Sequence, residues 1–222
     1  MAIDYYCFMS STLIAFIYHV YLFVRLRSNP NYTTHAVSDR ARLSWVKNIM
    51  DNPGHAVLAV QTLRNSTMAA SFLASTSILL VFGLLNISLR KGTLDVILVD
   101  AMNLGKLFTP DGVFSDNYSL TGLKMLLLLV TFFWSFFCFS LSIRNYNHVG
   151  YLINANDPNI VSTGYVAKLL NSAGDYYFLG MRGYYLSVPF VFWLSGPWLM
   201  IIATIGLVII LHRIDHPPSE NN

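Results

Sequence analysis

Four long apolar stretches constrain the fold of this chain more than any other feature. They are Tyr5–Val24, Met68–Leu89, Leu123–Ile143 and Leu186–Leu211. A helix needs about 20 residues to cross a hydrocarbon core of about 30 Å, because each residue adds about 1.5 Å. Each stretch reaches that length, and Lys124 is the only charged residue in any of them. Because backbone in lipid must satisfy its own hydrogen bonds, the sequence predicts an all-α, polytopic membrane protein, a bundle of four transmembrane helices.

The composition agrees with a membrane protein. Hydrophobic residues make up 55% of the chain and charged residues 11%, whereas about 25% of the residues in a typical soluble domain are charged. The connections between the stretches are too short to form a soluble domain, so we expect one membrane domain over residues 1–222. Cys7 and Cys138 lie in different stretches without a Cys-x-x-Cys pair, which predicts free thiols and no metal site.

Basic residues are concentrated in two of the three connections. The first connection holds Arg25, Arg27, Arg40, Arg42, Lys47 and Arg64, and the third holds Arg144, Lys168 and Arg182. The second mixes three basic residues with four aspartates. Lys and Arg accumulate in cytoplasmic loops, so we expect the first and third connections to be cytoplasmic and both termini to be non-cytoplasmic. The sequence is compatible with a bacterial inner membrane and with a eukaryotic endomembrane or plasma membrane.

The cytoplasmic ends are predicted to carry helical extensions. His55–Leu89 contains no proline, so the second helix should continue into the cytoplasm, and the third should extend to about Ile153. In the first connection Ser38 is a suitable helix N-cap for a short amphipathic helix ending near Met50. This helix lies either on the membrane surface, with Trp45 among the headgroups, or against the end of the bundle.

The segment around the fourth stretch contains helix-breaking residues. Pro189 and the Gly196-Pro197 pair interrupt the stretch. Proline inside a helix removes a hydrogen bond, so we expect either a kink that shapes the bundle or a hinge. A further helix around Val161–Asp175 is expected along the membrane surface.

A row of small residues marks one face of the second helix. Ser66, Ala70 and Ala74 recur at four-residue spacing, which allows close helix approach in lipid. The pattern predicts a helix-packing face, used either within the chain or between copies.

Polar side chains near the cytoplasmic ends of the long helices are the candidate ligand-binding residues. They are Gln61, Arg64, Asn65, Arg144, Asn147, His148, Asp175 and Arg182. The first three share one helix face by their spacing, as do the next three. Guanidinium groups bind carboxylates and phosphates through paired hydrogen bonds, so a convergence of these residues would suit an anionic lipid headgroup or a small anion. In the alternative interpretation the arginines only set topology and the amides pair between helices.

Several other chemistries lack a sequence basis. The chain has no His-Glu-x-x-His, Gly-x-Ser-x-Gly or Walker-type motif. His19 is the only histidine well inside an apolar stretch, which does not favour haem ligation across a bundle. No basic patch is large enough for a nucleic acid. We therefore expect no cofactor, no catalytic residue and no nucleic-acid partner.

Several blocks along the chain resemble an uncharacterised membrane family. The blocks are Ala59–Leu80, Ser135–His148, Gly180–Tyr185 and Phe192–Trp198. They are similar in content and order to the family called domain of unknown function 599, whose members occur in bacteria and plants. The resemblance implies a four-span membrane protein and supplies no activity, cofactor or catalytic residue.

Three classes of function fit the sequence. The first is a non-enzymatic accessory or assembly subunit, acting with other membrane chains or as a homo-oligomer through the small-residue face. The second is a protein that binds or transports an anionic lipid or small anion through the arginine cluster. The third is an intramembrane enzyme acting on a lipid with His148 as acid or base, although the chain offers no recognisable nucleophile or metal set.

Overall fold

A computed structural model describes residues 2–28, 32–90, 120–155 and 161–216, which form six α-helices and one turn of 3-10 helix, Pro53–His55. The α-helices are α1 (Ala2–Ser28), α2 (Thr34–Asp51), α3 (Ala56–Arg90), α4 (Leu120–Leu152), α5 (Thr163–Ser195) and α6 (Pro197–Asp215). No β-strand occurs in these residues. The prediction of an all-α fold is confirmed.

Four of the helices are long and apolar enough to cross a membrane. They are the segments Ile3–Arg25, Ala56–Leu89, Thr121–Leu152 and Pro197–Asp215. This finding fits the predicted multi-pass membrane protein. The extensions of the second and third spans are also present, since α3 has 35 residues and α4 has 33, more than the hydrocarbon core requires.

The fourth apolar stretch, Leu186–Leu211, is divided between two helices rather than forming one kinked helix. Pro189 lies inside α5 without ending it, whereas α5 ends at Ser195 and α6 begins at Pro197. Proline disfavours helical backbone in the residue before it and is well suited to the first position of a helix. The segment Val161–Asp175, expected along the membrane surface, mostly forms the first part of α5.

The helices alternate in direction between two ends of the assembly. At one end, called the Lys124 end, the Lys124 ammonium contacts the Asp4 carboxylate at 3.2 Å and the Trp193 carbonyl at 3.0 Å. At the other, the Asp215 end, Asp215 binds Tyr18 of α1 and Arg182 of α5. Side by side, the order of packing is α3, α4, α5, α6 and α1.

This arrangement takes the described chain five times from one end to the other, through α1, α3, α4, α5 and α6. The start of α1 and the end of α6 therefore lie at opposite ends of the assembly. The expectation that both termini are non-cytoplasmic rests on four membrane crossings and does not count α5 among them. Hydropathy alone does not reveal the full length of α5, because its sequence contains the charged residues Lys168, Asp175 and Arg182.

Helix α2 packs on the Asp215 end of the assembly. It begins at Thr34, and the Thr33 side chain caps it by accepting a hydrogen bond from the Ala36 amide at 3.3 Å, so the cap is not Ser38. Val46 and Ile49 are buried, and Arg42 Nε donates to the Asn171 side-chain oxygen of α5 at 2.9 Å. Of the two expected positions for this amphipathic helix, the structure has the one against the bundle.

The largest hydrophobic cluster lies at the Asp215 end, where α2, α3, α4 and α5 meet. Its fully buried members include Val46, Ala59, Val149 and Val166. Aliphatic packing at this end ties together the parts of α3, α4 and α5 that extend beyond the apolar stretches. Cys7 and Cys138 are buried, free thiols, as the sequence predicted.

Candidate functional site

The polar residues singled out from the sequence do not converge on one site. Arg64 and Asn147 line a groove between α3 and α4, and Arg182 lines a second groove between α1, α4 and α5. Asp175 binds His35 of α2. The remaining candidates lie exposed on helix surfaces outside both grooves: Gln61, Asn65, Arg144 and His148.

The first groove, the α3/α4 groove, has a volume of about 640 Å³. Its polar lining consists of Arg64, Thr67, Ser71, Ser75 and Asn147, and its apolar lining includes Leu63, Met68, Phe72, Tyr146 and Tyr151. Met68 is 50% exposed and Phe72 70% exposed. Because these two side chains face outward from helices that fit a membrane, the groove opens sideways, towards lipid.

Among the residues that the structure describes, the charge in the α3/α4 groove is positive and no ion pair compensates it. Neither α3 nor α4 contains an aspartate or glutamate. Lys124 of α4 is paired with Asp4, whereas Arg64 forms no ion pair among the described residues. An anion that enters the groove therefore meets a guanidinium group without a competing carboxylate on either helix.

Arg64 precedes Met68, where the predicted apolar stretch begins, by four residues or about 6 Å of helix. If the hydrocarbon begins there, Arg64 lies at the level of the lipid headgroups. Deeper in the groove the Ser71 hydroxyl donates to the Thr67 carbonyl at 2.8 Å. Since this hydroxyl is satisfied by its own helix, it can face hydrocarbon without an unpaired donor.

The second groove, the Arg182 groove, has a volume of about 570 Å³. Arg182 is 7% exposed, and its Nη2 donates to the two carboxylate oxygens of Asp215 at 2.5 and 2.6 Å. The Tyr18 hydroxyl donates to Asp215 Oδ2 at 2.5 Å. Arg182 Nη1 is buried and has no hydrogen-bond partner among the described residues. A buried charge needs a counter-charge, so the Asp215 carboxylate allows the Arg182 guanidinium to be buried.

Asp215 is not among the candidate residues that the sequence indicates. The positive-inside argument placed the end of the last helix on the far side of the membrane, away from Arg182. The helix reversal at Gly196-Pro197 instead returns Asp215 to the level of Arg182. The sequence shows this break but does not distinguish a kink from a full reversal of the chain.

Asp175 instead takes part in the attachment of α2. The His35 imidazole Nε2 lies 2.9 Å from Asp175 Oδ1, and its ring stacks on Phe178 with 4.5 Å between ring centroids. Phe178 also lies under the Arg182 guanidinium, 4.6 Å from its central carbon. The stack of imidazole, phenyl ring and guanidinium forms one wall of the Arg182 groove at the Asp215 end.

His35, Asp39 and Asp175 also bring three metal-type ligand atoms within 4.8 Å of one another. His35 already pairs with Asp175, and Asp39 pairs with Arg42. The Asp39–Arg42 pair lies within α2, whereas His35 contacts Asp175 of α5 and Arg42 donates to Asn171 of α5, so these contacts account for the proximity of the three side chains.

The chain belongs to the family described as protein of unknown function, DUF599, whose model matches residues 6–219. The resemblance seen in the sequence blocks is thereby confirmed. No curated protein and no solved structure matches the chain.

Proposed function

We propose that this member of the DUF599 family is a non-enzymatic membrane protein that binds an anionic lipid in the α3/α4 groove. The observation that carries the proposal is Arg64, a guanidinium at headgroup depth with no acidic residue on either helix of the groove. Guanidinium groups hold phosphate through charge-assisted hydrogen bonds. A lipid phosphate is the anion available at that depth in a membrane.

The rest of the lining suits the other parts of such a lipid. The Asn147 amide lies in the same groove as Arg64 and can donate a further hydrogen bond to the headgroup. Met68 and Phe72 line the groove further along α3, where they can contact an acyl chain. The groove therefore offers charge and hydrogen bonds at headgroup level and apolar contacts deeper in the membrane.

The chemistry of this groove favours binding over catalysis. Among the described residues, its lining contains no histidine, cysteine or carboxylate, the groups that most often act as general base or nucleophile. His148 lies exposed outside the groove, so its expected role in a lipid-modifying enzyme receives no support.

The expected role as an accessory subunit drew on the small-residue face of α3. Ala70 is fully buried, Ala74 is 6% exposed and Ser66 is half-buried, and α3 packs against α4. This face therefore makes contacts within the chain, and assembly with other membrane chains or with further copies would need another surface.

We further propose that α5 crosses the membrane together with its neighbours, as a fifth transmembrane helix. It packs along α4 and α6 between the same two ends, from Ala173, whose carbonyl accepts from Ser142, to Trp193, whose carbonyl accepts from Lys124. The charge of Arg182 is balanced by Asp215. Since most basic residues lie near the Asp215 end, the positive-inside rule makes that end cytoplasmic. The amino terminus is then non-cytoplasmic and the carboxy terminus cytoplasmic.

The lipid proposal can be tested by native mass spectrometry of the protein extracted in a mild detergent and mixed with equal amounts of phosphatidylglycerol and phosphatidylcholine. We expect one phosphatidylglycerol to be retained preferentially. Arg64→Gln should lower that retention about tenfold, because a charge-assisted hydrogen bond contributes about 1.5–3 kcal/mol.

Arg144→Gln provides the matched control, since it removes the same charge from an exposed position on α4 outside the groove. It should leave retention unchanged. Equal losses in the two variants would mean that only the net charge of the protein matters and not the position of Arg64. Equal retention of the two lipids by the wild-type protein would contradict the proposal.

A further inference from the structure

The Arg182 groove differs from the α3/α4 groove in its charge. The Arg182 guanidinium is neutralised by the Asp215 carboxylate, and His35 at the same end faces the Asp175 carboxylate at 2.9 Å. An anionic headgroup here would meet two carboxylates, one of them buried, and no uncompensated cation, because Asp215 pairs with Arg182 and Asp175 pairs with His35. The groove is therefore suited to an uncharged ligand.

Two polar groups of this lining have hydrogen-bonding capacity that the described residues do not use. Arg182 Nη1 is a buried donor without an acceptor. The His19 Nδ1 lies 2.8 Å from the Ala15 carbonyl. A carbonyl can only accept, so Nδ1 carries the proton in this contact, and Nε2 is the ring nitrogen left for a ligand. Both residues line the groove, so a ligand with a neutral polar head could pair with these two nitrogens.

The walls of the groove are aromatic. Phe23 of α1, Trp134 of α4, and Phe178 and Phe190 of α5 all line it. Phe23 is 59% exposed and Trp134 57% exposed. Because these two side chains face outward on α1 and α4, the opening between those helices faces lipid. Aromatic walls favour a flat ring, which they contact by offset stacking or edge-to-face packing.

We propose that the Arg182 groove binds a membrane quinone. A quinone has an uncharged flat ring, a ring carbonyl that can accept from Arg182 Nη1, and an apolar tail that can leave between α1 and α4. In the reduced form a ring hydroxyl can donate to His19 Nε2. The cavity of about 570 Å³ is within the usual range of small-molecule sites, about 300–1,000 Å³. This inference concerns a second site and goes beyond the binding of an anionic lipid proposed above.

Because Trp134 lines the groove, its fluorescence can report on binding there. The soluble analogue decylubiquinone quenches tryptophan fluorescence when it lies beside the ring, so titration of the detergent-purified protein should give saturable quenching. Random encounters within the micelle give quenching that rises without saturation. Trp134→Phe should remove most of the saturable signal, whereas Trp198→Phe, at a 66% exposed position on α6, should leave it.

A substitution that fills the groove tests the site without disturbing its ion pair. Val130 lines the groove and is 56% exposed, so Val130→Phe narrows the opening without entering the protein core. It should weaken decylubiquinone binding at least about fivefold, or about 1 kcal/mol. Val191→Phe is the control, because Val191 is an exposed α5 residue that lies outside the groove.

The outcomes separate the quinone from other occupants. Saturable quenching that is weakened by Val130→Phe but not by Val191→Phe, and that dioleoylglycerol does not reverse, supports the proposal. Equal effects of the two variants or a purely linear quench would overturn it. Competition by dioleoylglycerol at equal concentration would also overturn it, because the groove would then recognise any neutral lipid head. Neither variant touches Arg64, so failure here leaves the anionic-lipid proposal standing.

Discussion

Arg182, in the middle of α5, holds the carboxylate of Asp215, the last residue of α6, with Nη2 2.5 and 2.6 Å from its two oxygens. Thirty-three positions separate the two residues in the sequence. The pair joins the carboxy-terminal end of α6 to the middle of α5, away from the connection of the two helices at Gly196. It therefore closes the α5/α6 hairpin, and it keeps a charged side chain within an otherwise apolar region.

The first prediction concerns removal of one member of this pair. Asp215→Asn should destabilise the folded protein by about 3–5 kcal/mol, because it leaves the buried Arg182 without a counter-charge. Asp175→Asn should cost about 1 kcal/mol or less, since the Asp175 side chain is 51% exposed. Thermal unfolding in detergent measures both.

The double variant Arg182→Met with Asp215→Leu distinguishes charge from shape. Replacement of a buried ion pair by apolar residues is often neutral, so the double variant should recover most of the stability that Asp215→Asn loses. Equal stability of Asp215→Asn and Asp175→Asn would show that the buried pair does not contribute as described.

A second prediction concerns the direction of the chain. In a background with Cys7→Ala and Cys138→Ala, a single cysteine is introduced by Ile3→Cys or by Arg213→Cys, both at exposed positions. We expect a membrane-impermeant maleimide to label the first variant in intact cells and the second only after permeabilisation. Labelling of both variants from the outside would mean that the chain crosses the membrane an even number of times between these positions.

A third prediction concerns the close contact between α4 and α5. A methyl group at Gly180 would lie 2.7–2.9 Å from ring atoms of Phe139, and Phe139 is fully buried. Gly180→Ala should therefore destabilise the protein by about 1–3 kcal/mol through overpacking. The readout is the denaturation midpoint in mild detergent.

Gly206→Ala is the matched substitution on α6, where a methyl group meets no atom within 4 Å. It should be neutral, or stabilising by up to about 1 kcal/mol, because alanine is the better helix former. If both alanine variants unfold alike, the contact between Gly180 and Phe139 is looser than described.

Much of the fold could be predicted from hydropathy alone. The apolar stretches of α1, α3 and α4 are uninterrupted, and the absence of proline from α3 predicted its long extension. Helix α5 could not be found in this way, because the charge of Arg182 opposes a membrane assignment unless its partner is known. The partner, Asp215, becomes a neighbour only after the chain reverses at Gly196, which is a property of the tertiary fold.

The candidate site could likewise be predicted only in part from the sequence. Spacing along each helix placed Arg64 on a face of α3 and Asn147 on a face of α4, but it could not establish that these two faces border one groove. The spacing also could not show that Arg182 lines a different groove from Arg64 and Asn147. Residue types alone drew attention to the arginines, whereas the packing order of the helices determines which of them share a ligand.

The contact between Arg182 and Asp215 also bears on how the protein is made. An unpaired arginine near the middle of a membrane helix costs about 2.5–3.5 kcal/mol on insertion. During synthesis Arg182 precedes its partner by 33 residues. In the proposed five-span topology α5 therefore reaches its final stability in lipid only after all of α6 has been made, and we expect the two helices to insert together.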